Sequence, residues 1–160
     1  MFKEIIILLL ITINSFFFTE LNAQNKNKKT LYFFKIREEI AKPALRITTK
    51  SFEEANKYNA DYIIIEINTY GGLVNIADSI RTKILNSKIP VVAFINNQAI
   101  SAGALIAISC DSIYMRPGGG LGAATVVDQS GKQLPDKYQS FMRATMRATA
   151  EAHGKDTIIK

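Results

Sequence analysis

Residues 89–107 constrain this chain most. Ile89-Pro90-Val91-Val92-Ala93-Phe94-Ile95 is apolar and β-branched and reads as a buried strand. Ala99–Ala107 (A-I-S-A-G-A-L-I-A) follows with small residues and then an apolar helix. A strand that passes so quickly into a helix requires a tight turn, and one hydroxyl, Ser101, falls on it. Ala99, Ala102, Gly103 and Ala104 let backbone and a ligand come close. The pattern has two readings. One is close helix–sheet packing. The other is a nucleophile elbow, with a serine held at a helix N-terminus beside backbone N–H groups.

The rest of the chain alternates strand and helix. Leu31–Ile36 predicts a first strand. Glu38–Tyr58 predicts a helix, with Pro43 in its first turn and Ala44, Leu45, Ile47 or Thr48, Phe52 and Ala55 in phase. Tyr62–Ile67 is nearly continuous apolar sequence, as in a parallel strand covered on both faces. Asn75–Ser87 is amphipathic, its stripe running through Leu73, Ile76, Ala77, Ile80 and Ile84. Asp111–Met115 predicts a short strand, Arg116–Gly122 a glycine-rich loop, Ala123–Val127 extended chain and residues 129–132 a turn. A last helix, Lys137–His153, would be capped by Asp136 at its start and Gly154 at its end. This alternation predicts an α/β fold with a mostly parallel sheet flanked by helices. Asp156–Lys160 stops without a packed closing element, so the domain is expected to be C-terminally incomplete.

Residues 1–23 stand apart. After a charged head, Ile5–Phe18 is almost wholly apolar, and Leu21-Asn22-Ala23 offers a small residue before a cut. The run is short of the ~20 residues of a bilayer span. A signal peptide is therefore expected, with an uncleaved anchor as the alternative, and an exported domain on the outer face of a membrane. Residues 24–30 would be a polar linker and 31–160 the folded domain. Without residues 1–23 the chain keeps 19 basic and 12 acidic residues, a formal charge of +7. These charges are scattered, and no aromatic–basic pattern suggests a nucleic-acid partner. One cysteine, Cys110, excludes an internal disulfide framework, and with a single histidine, His153, no metal site is expected. No cofactor is expected. Cys110, between Ile108 and Ile113, reads as a buried small hydrophobe.

Three stretches fall where strands end or helices begin, the place where sites assemble in α/β sheets. Gly71-Gly72 can turn sharply and bare its N–H groups. The N–H groups of Gly72 and Ala102 could converge on an oxyanion, where losing one donor costs ~2.7–4 kcal/mol in the barrier. Ser101 needs a base. His153, beside the helix cap Gly154, reads as a solvated residue or a cation favoured by the helix dipole. A lysine acts as base only when neutral, a form favoured by desolvation and by nearby positive potential. Lys137, in the first turn of the last helix, meets the positive end of the dipole. It reads either as that base or as an ordinary exposed lysine. Arg143 and Arg147 stay protonated and would be surface or substrate-carboxylate contacts.

Together these residues resemble a known family. The stretches are Ile65-Glu66-Ile67-Asn68-Thr69-Tyr70-Gly71-Gly72-Leu73-Val74, Ile89–Phe94, Ala99–Ala104, Met115-Arg116-Pro117-Gly118 and Leu121-Gly122-Ala123-Ala124. In order and spacing they are similar to the NfeD-type membrane-bound serine proteases, whose N-terminal domain resembles the Clp protease proteolytic subunit and signal peptide peptidase A. The resemblance implies a crotonase/Clp-protease-like fold and a Ser–Lys endopeptidase without cofactor. By position, Ser101 matches the nucleophile, Lys137 the base, and Gly72 and Ala102 the oxyanion hole. Tyr70, Gly71, Leu73 and Val74 would bind substrate. Tyr70 stands where the family commonly has proline. Implied partners are hydrophobic peptide segments or stomatin-like membrane proteins, and further copies of the chain in a homodimer or higher oligomer. Two other functions fit parts of the pattern: an inactive module that binds a membrane partner, and a crotonase-like acyl-thioester enzyme, against which Ser101 and the export signal argue.

Overall fold

The computed structural model describes residues 28–128 and 130–154. The expected signal peptide and most of the linker lie outside them. The elements are β1 (Leu31–Ile36), α1 (Lys42–Lys57), β2 (Tyr62–Thr69), α2 (Val74–Leu85), β3 (Val91–Ile100), α3 (Ala102–Ile108), β4 (Ser112–Met115), β5 (Gly120–Gly122) and α4 (Asp136–Glu151). The sheet is parallel in the order β1-β2-β3-β4, and β5 pairs with the C-terminal end of β3. It is the α/β fold expected from the alternation.

Side chains alternate across each strand, and one set forms the core. Phe34, Ile36, Ile63, Ile65, Ile67, Val91, Ala93 and Ile95 are buried. They join Phe52 and Ala55 of α1, Ile76, Ile80 and Ile84 of α2, and Leu105 and Ile106 of α3 in one cluster. Burying each large side chain contributes ~1.5–3 kcal/mol. The other set is not covered to the same extent, contrary to the expectation for Tyr62–Ile67. Leu31, Phe33, Tyr62 and Tyr114 are exposed, and Ile64, Val92 and Phe94 are half-buried. Buried apolar residues of α1, α2 and α3 join this one cluster, so a continuous apolar run does not imply two covers.

The open face also explains how a glutamate sits in that run. Glu66, only 6% exposed, accepts hydrogen bonds from Arg37 Nε (2.9 Å) and Asn96 Nδ2 (3.0 Å). Arg37 Nη2 lies 2.7 Å from it and Lys35 Nζ 3.9 Å. Burial alone would raise this carboxyl, but the hydrogen bonds from Asn96 and Arg37 and the charges of Arg37 and Lys35 together hold it below its ordinary range.

Several local expectations change. α1 begins at Lys42 rather than Glu38, because Ile40 is drawn into a bridge with Gly72. Three residues of the glycine-rich loop form β5. Pro135, not Asp136, holds the N-cap position of α4, and Asp136 lies in the first turn, where its charge suits the helix dipole. His153 is not solvated: its Nδ1 lies 3.3 Å from Asp111 Oδ1, while Asp111 Oδ2 accepts the Val91 N–H at 2.6 Å. Cys110 is buried, as expected.

Candidate active site

The site gathers at the C-terminal ends of β2 and β3. Their register shifts between Ile67 and Thr69: Ile67 faces Ile95, but Thr69 faces Ala99. Asn96, Asn97 and Gln98 thus oppose Asn68 alone, a bulge that bends the strands where they deliver the loops. Two straps then lock the Gly71-Gly72 turn. The Ile40 N–H donates to the Gly71 carbonyl and the Leu73 N–H donates to the Ile40 carbonyl, each at 2.8 Å.

Ser101 lies between β3 and α3 with φ 54° and ψ −116°. A residue with a Cβ rarely adopts that conformation, which costs about 1–3 kcal/mol. Its N–H donates to the Gly122 carbonyl of β5 at 2.8 Å, and its carbonyl accepts from Ala104 N–H at 2.9 Å. The neighbours leave no spare room. A Cβ on Gly71 would stand 2.8 Å from Ser101 Cβ, and one on Gly72 2.5 Å from the Ile40 carbonyl oxygen. Both glycines have positive φ, 118° and 150°. A Cβ on Gly103 would stand 2.5 Å from Thr69 Cγ2, so α3 lies directly against the end of β2.

This packing presents two backbone donors beside one hydroxyl. Gly71 N–H is committed to Thr69 Oγ1 at 3.1 Å. The N–H groups of Gly72 and Ala102 have no hydrogen-bond partner among the described residues. Gly72, Ser101 and Ala102 line one narrow pocket of about 50 Å³, whose walls include Val74, Ala77, Leu105, Ala124, Val126 and Met142. Such a pocket can hold a carbonyl group against a serine and can take an apolar side chain.

Val74 is in the pocket wall. Tyr70 and Gly71 line a second cavity of about 420 Å³, together with Asn68 and Gln98. Leu73 is exposed just before α2 and lines neither hollow. Lys137 is exposed in the first turn of α4, with Nζ 5.0 Å from the centre of the Tyr138 ring. It does not line the Ser101 pocket, and among the described residues no hydrogen bond joins the two side chains. Arg143 and Arg147 are exposed on α4. Among the described residues no cluster could hold a metal ion, and no helix is long and apolar enough to cross a membrane.

Sequence reasoning missed the residues that join α4 to the pocket. Buried Gln139 acts as a substitute strand: Oε1 accepts the Val126 N–H at 3.0 Å, and Nε2 donates to the carbonyls of Val126 (2.7 Å) and Leu134 (3.0 Å). It ties the pocket wall to the helix that carries Lys137. Met142, one turn on, closes the pocket. The apolar phase of α4 marks Met142 as inward-facing, but nothing local identifies what it meets.

A family model described as NfeD1b, N-terminal domain, matches residues 30–160. The chain belongs to this family. The membrane protein NfeD1b of Bacillus subtilis is 39% identical over 137 residues, covering 86% of this chain and 31% of that protein. The membrane-bound protease PH1510 of Pyrococcus horikoshii is 30% identical over 129 residues, covering 71% and 29%. This NfeD1b-type chain thus spans less than a third of the length of these relatives. Among solved structures it is similar to 1510-N, described as a membrane-bound stomatin-specific protease, in a serine-to-alanine variant (28% identity, TM-score 0.76, covering 81% of this chain and 67% of that one). A lysine-to-alanine variant of 1510-N in complex with a substrate peptide gives 28% identity and a TM-score of 0.73, covering 78% and 61%. ClpP1 from Listeria monocytogenes, at 23% identity, a TM-score of 0.63 and coverage of 79% and 74%, shares the fold. The domain therefore has the Clp-protease-like fold that the resemblance implied.

Proposed function

We propose that this NfeD1b-type domain is a serine endopeptidase that cuts apolar segments of membrane-associated proteins, with Ser101 as nucleophile and Lys137 as base. One observation carries the reading: a strained serine stands beside the N–H groups of Gly72 and Ala102, which have no partner among the described residues, in a narrow pocket walled in part by apolar side chains. Ser101 Oγ attacks the scissile carbonyl while its proton passes to neutral Lys137. The Gly72 and Ala102 N–H groups hold the oxyanion. Lys137 returns the proton to the leaving amine, and water then releases the acyl group. For this the Lys137 side chain must leave the Tyr138 ring and reach the pocket mouth beside Val126, Val127 and Met142. The relatives support the reading. One is described as a membrane-bound protease, and its solved forms include serine and lysine replacements and a bound substrate peptide. Stomatin-like substrates, action on the outer face of a membrane and homo-oligomerisation belong to the same proposal.

A fluorophosphonate probe should label the wild-type protein but not Ser101→Ala; equal labelling removes Ser101 as nucleophile. Lys137→Ala should lose peptide cleavage and Lys132→Ala should keep it, and equal activity of the two refutes the dyad. The position of Lys137 over Tyr138 favours one second reading, an inactive peptide-binding module. That reading expects peptide binding indifferent to Ser101→Ala and no cleavage product by mass spectrometry.

A further inference from the structure

We infer that the groove between α2 and α4 is a second substrate subsite. It takes a large apolar side chain two residues away from the one in the Ser101 pocket. This rests on the endopeptidase reading and specifies its substrate. The Ser101 pocket is narrow, about 50 Å³, and its outer wall includes Val74, Leu105 and Met142. The same three side chains line a wider groove of about 330 Å³, completed by Phe141 and Thr145, with Asn75 and Asp78 at its edge. Two hollows that share one wall adjoin.

The groove keeps apolar surface in water. Phe141 is 65% exposed and Val74 37% exposed, on opposite sides of the opening. No element among those described covers them. Single exposed apolar residues need no explanation, but a ring at the rim of a groove joined to a nucleophile's pocket marks a binding surface.

An extended peptide fits this pair. Its side chains alternate, so residues i and i+2 point the same way, about 7 Å apart. If the residue at the scissile bond enters the pocket, the residue two positions away faces the groove. The pocket admits a small apolar side chain and the groove a bulky one such as leucine or phenylalanine. The substrate class is an extended apolar peptide, small at the cut and bulky two residues from it.

Two peptides differing only at that second position, leucine against serine, test the assignment. Wild-type protein should cleave the leucine peptide with kcat/KM about tenfold higher. Phe141→Ser should reduce the preference to about twofold, the change lying in KM, and should melt within ~2 °C of wild type because the site is exposed. An unchanged preference in folded Phe141→Ser overturns the subsite while leaving the endopeptidase standing. Binding to Ser101→Ala, read by fluorescence anisotropy, judges the groove without catalysis. Leucine-peptide affinity about tenfold above the serine peptide, lost on adding Phe141→Ser, supports it even if wild type cleaves nothing. Equal affinities overturn it.

Discussion

The strain at Ser101 can be weighed directly. Ser101→Ala removes the hydroxyl but keeps a Cβ at φ 54° and ψ −116°, so the backbone cost of about 1–3 kcal/mol persists. Ser101→Gly removes that cost, since glycine adopts positive φ freely, and gives back roughly 0.5–1 kcal/mol through the greater freedom of the unfolded chain. The glycine variant should be more stable than the alanine variant by about 1 kcal/mol. For a folded part of this size 1 kcal/mol moves Tm by roughly 3–5 °C, so Ser101→Gly should melt about that far above Ser101→Ala. Differential scanning calorimetry at neutral pH reads the difference. A glycine variant that melts with or below the alanine variant would refute the claim that the fold holds this serine in a strained conformation. A positive result would mean that stability is given up to present the hydroxyl, as expected of a site shaped for reaction rather than for packing.

Gly71→Ala would push a methyl to 2.8 Å from Ser101 Cβ and 3.3 Å from its Oγ; it should lose probe labelling at least tenfold, and should destabilise less in a Ser101→Gly background, a coupling readable by a double-mutant cycle. If the two substitutions add without coupling, the contact is not the cause. Glu66 has a folded pKa below its ordinary 4.5, so its contribution is fully present above that value and is lost as pH falls through the lowered one. Glu66→Gln should therefore lower Tm by several degrees at pH 6–7, as expected from ~1.5–3 kcal/mol per lost charged hydrogen bond, and the gap should narrow as pH falls below 4.5. A gap independent of pH would place the effect in packing rather than charge.

Much of this molecule is legible in local pattern. Strand and helix alternation follows from periods of two and 3.6 residues, which depend only on near neighbours. The Gly71-Gly72 turn and the Ser101 elbow can be read because each is a short run of residue types that a tight turn requires. The same locality limits the reading. Nothing near Tyr62–Ile67 says which sheet face the helices cover, so the half-open face and the ion pairs that admit Glu66 emerge only from packing. His153 looks like a helix-end residue until Asp111, 42 positions away, lies beside it.

The sequence by itself determined the α/β class, the order of the elements and the chemistry available at three strand ends, because those are properties of residue type and short-range spacing. Only the tertiary structure decided that the Gly72 and Ala102 N–H groups lie next to Ser101 with no partner among the described residues. It alone set that serine in a strained conformation, with its N–H on the Gly122 carbonyl, and placed Lys137 over Tyr138 rather than in the pocket. It alone joined the pocket to the groove beside Phe141. Each depends on chain segments tens of residues apart meeting at ångström distances, which no local pattern encodes.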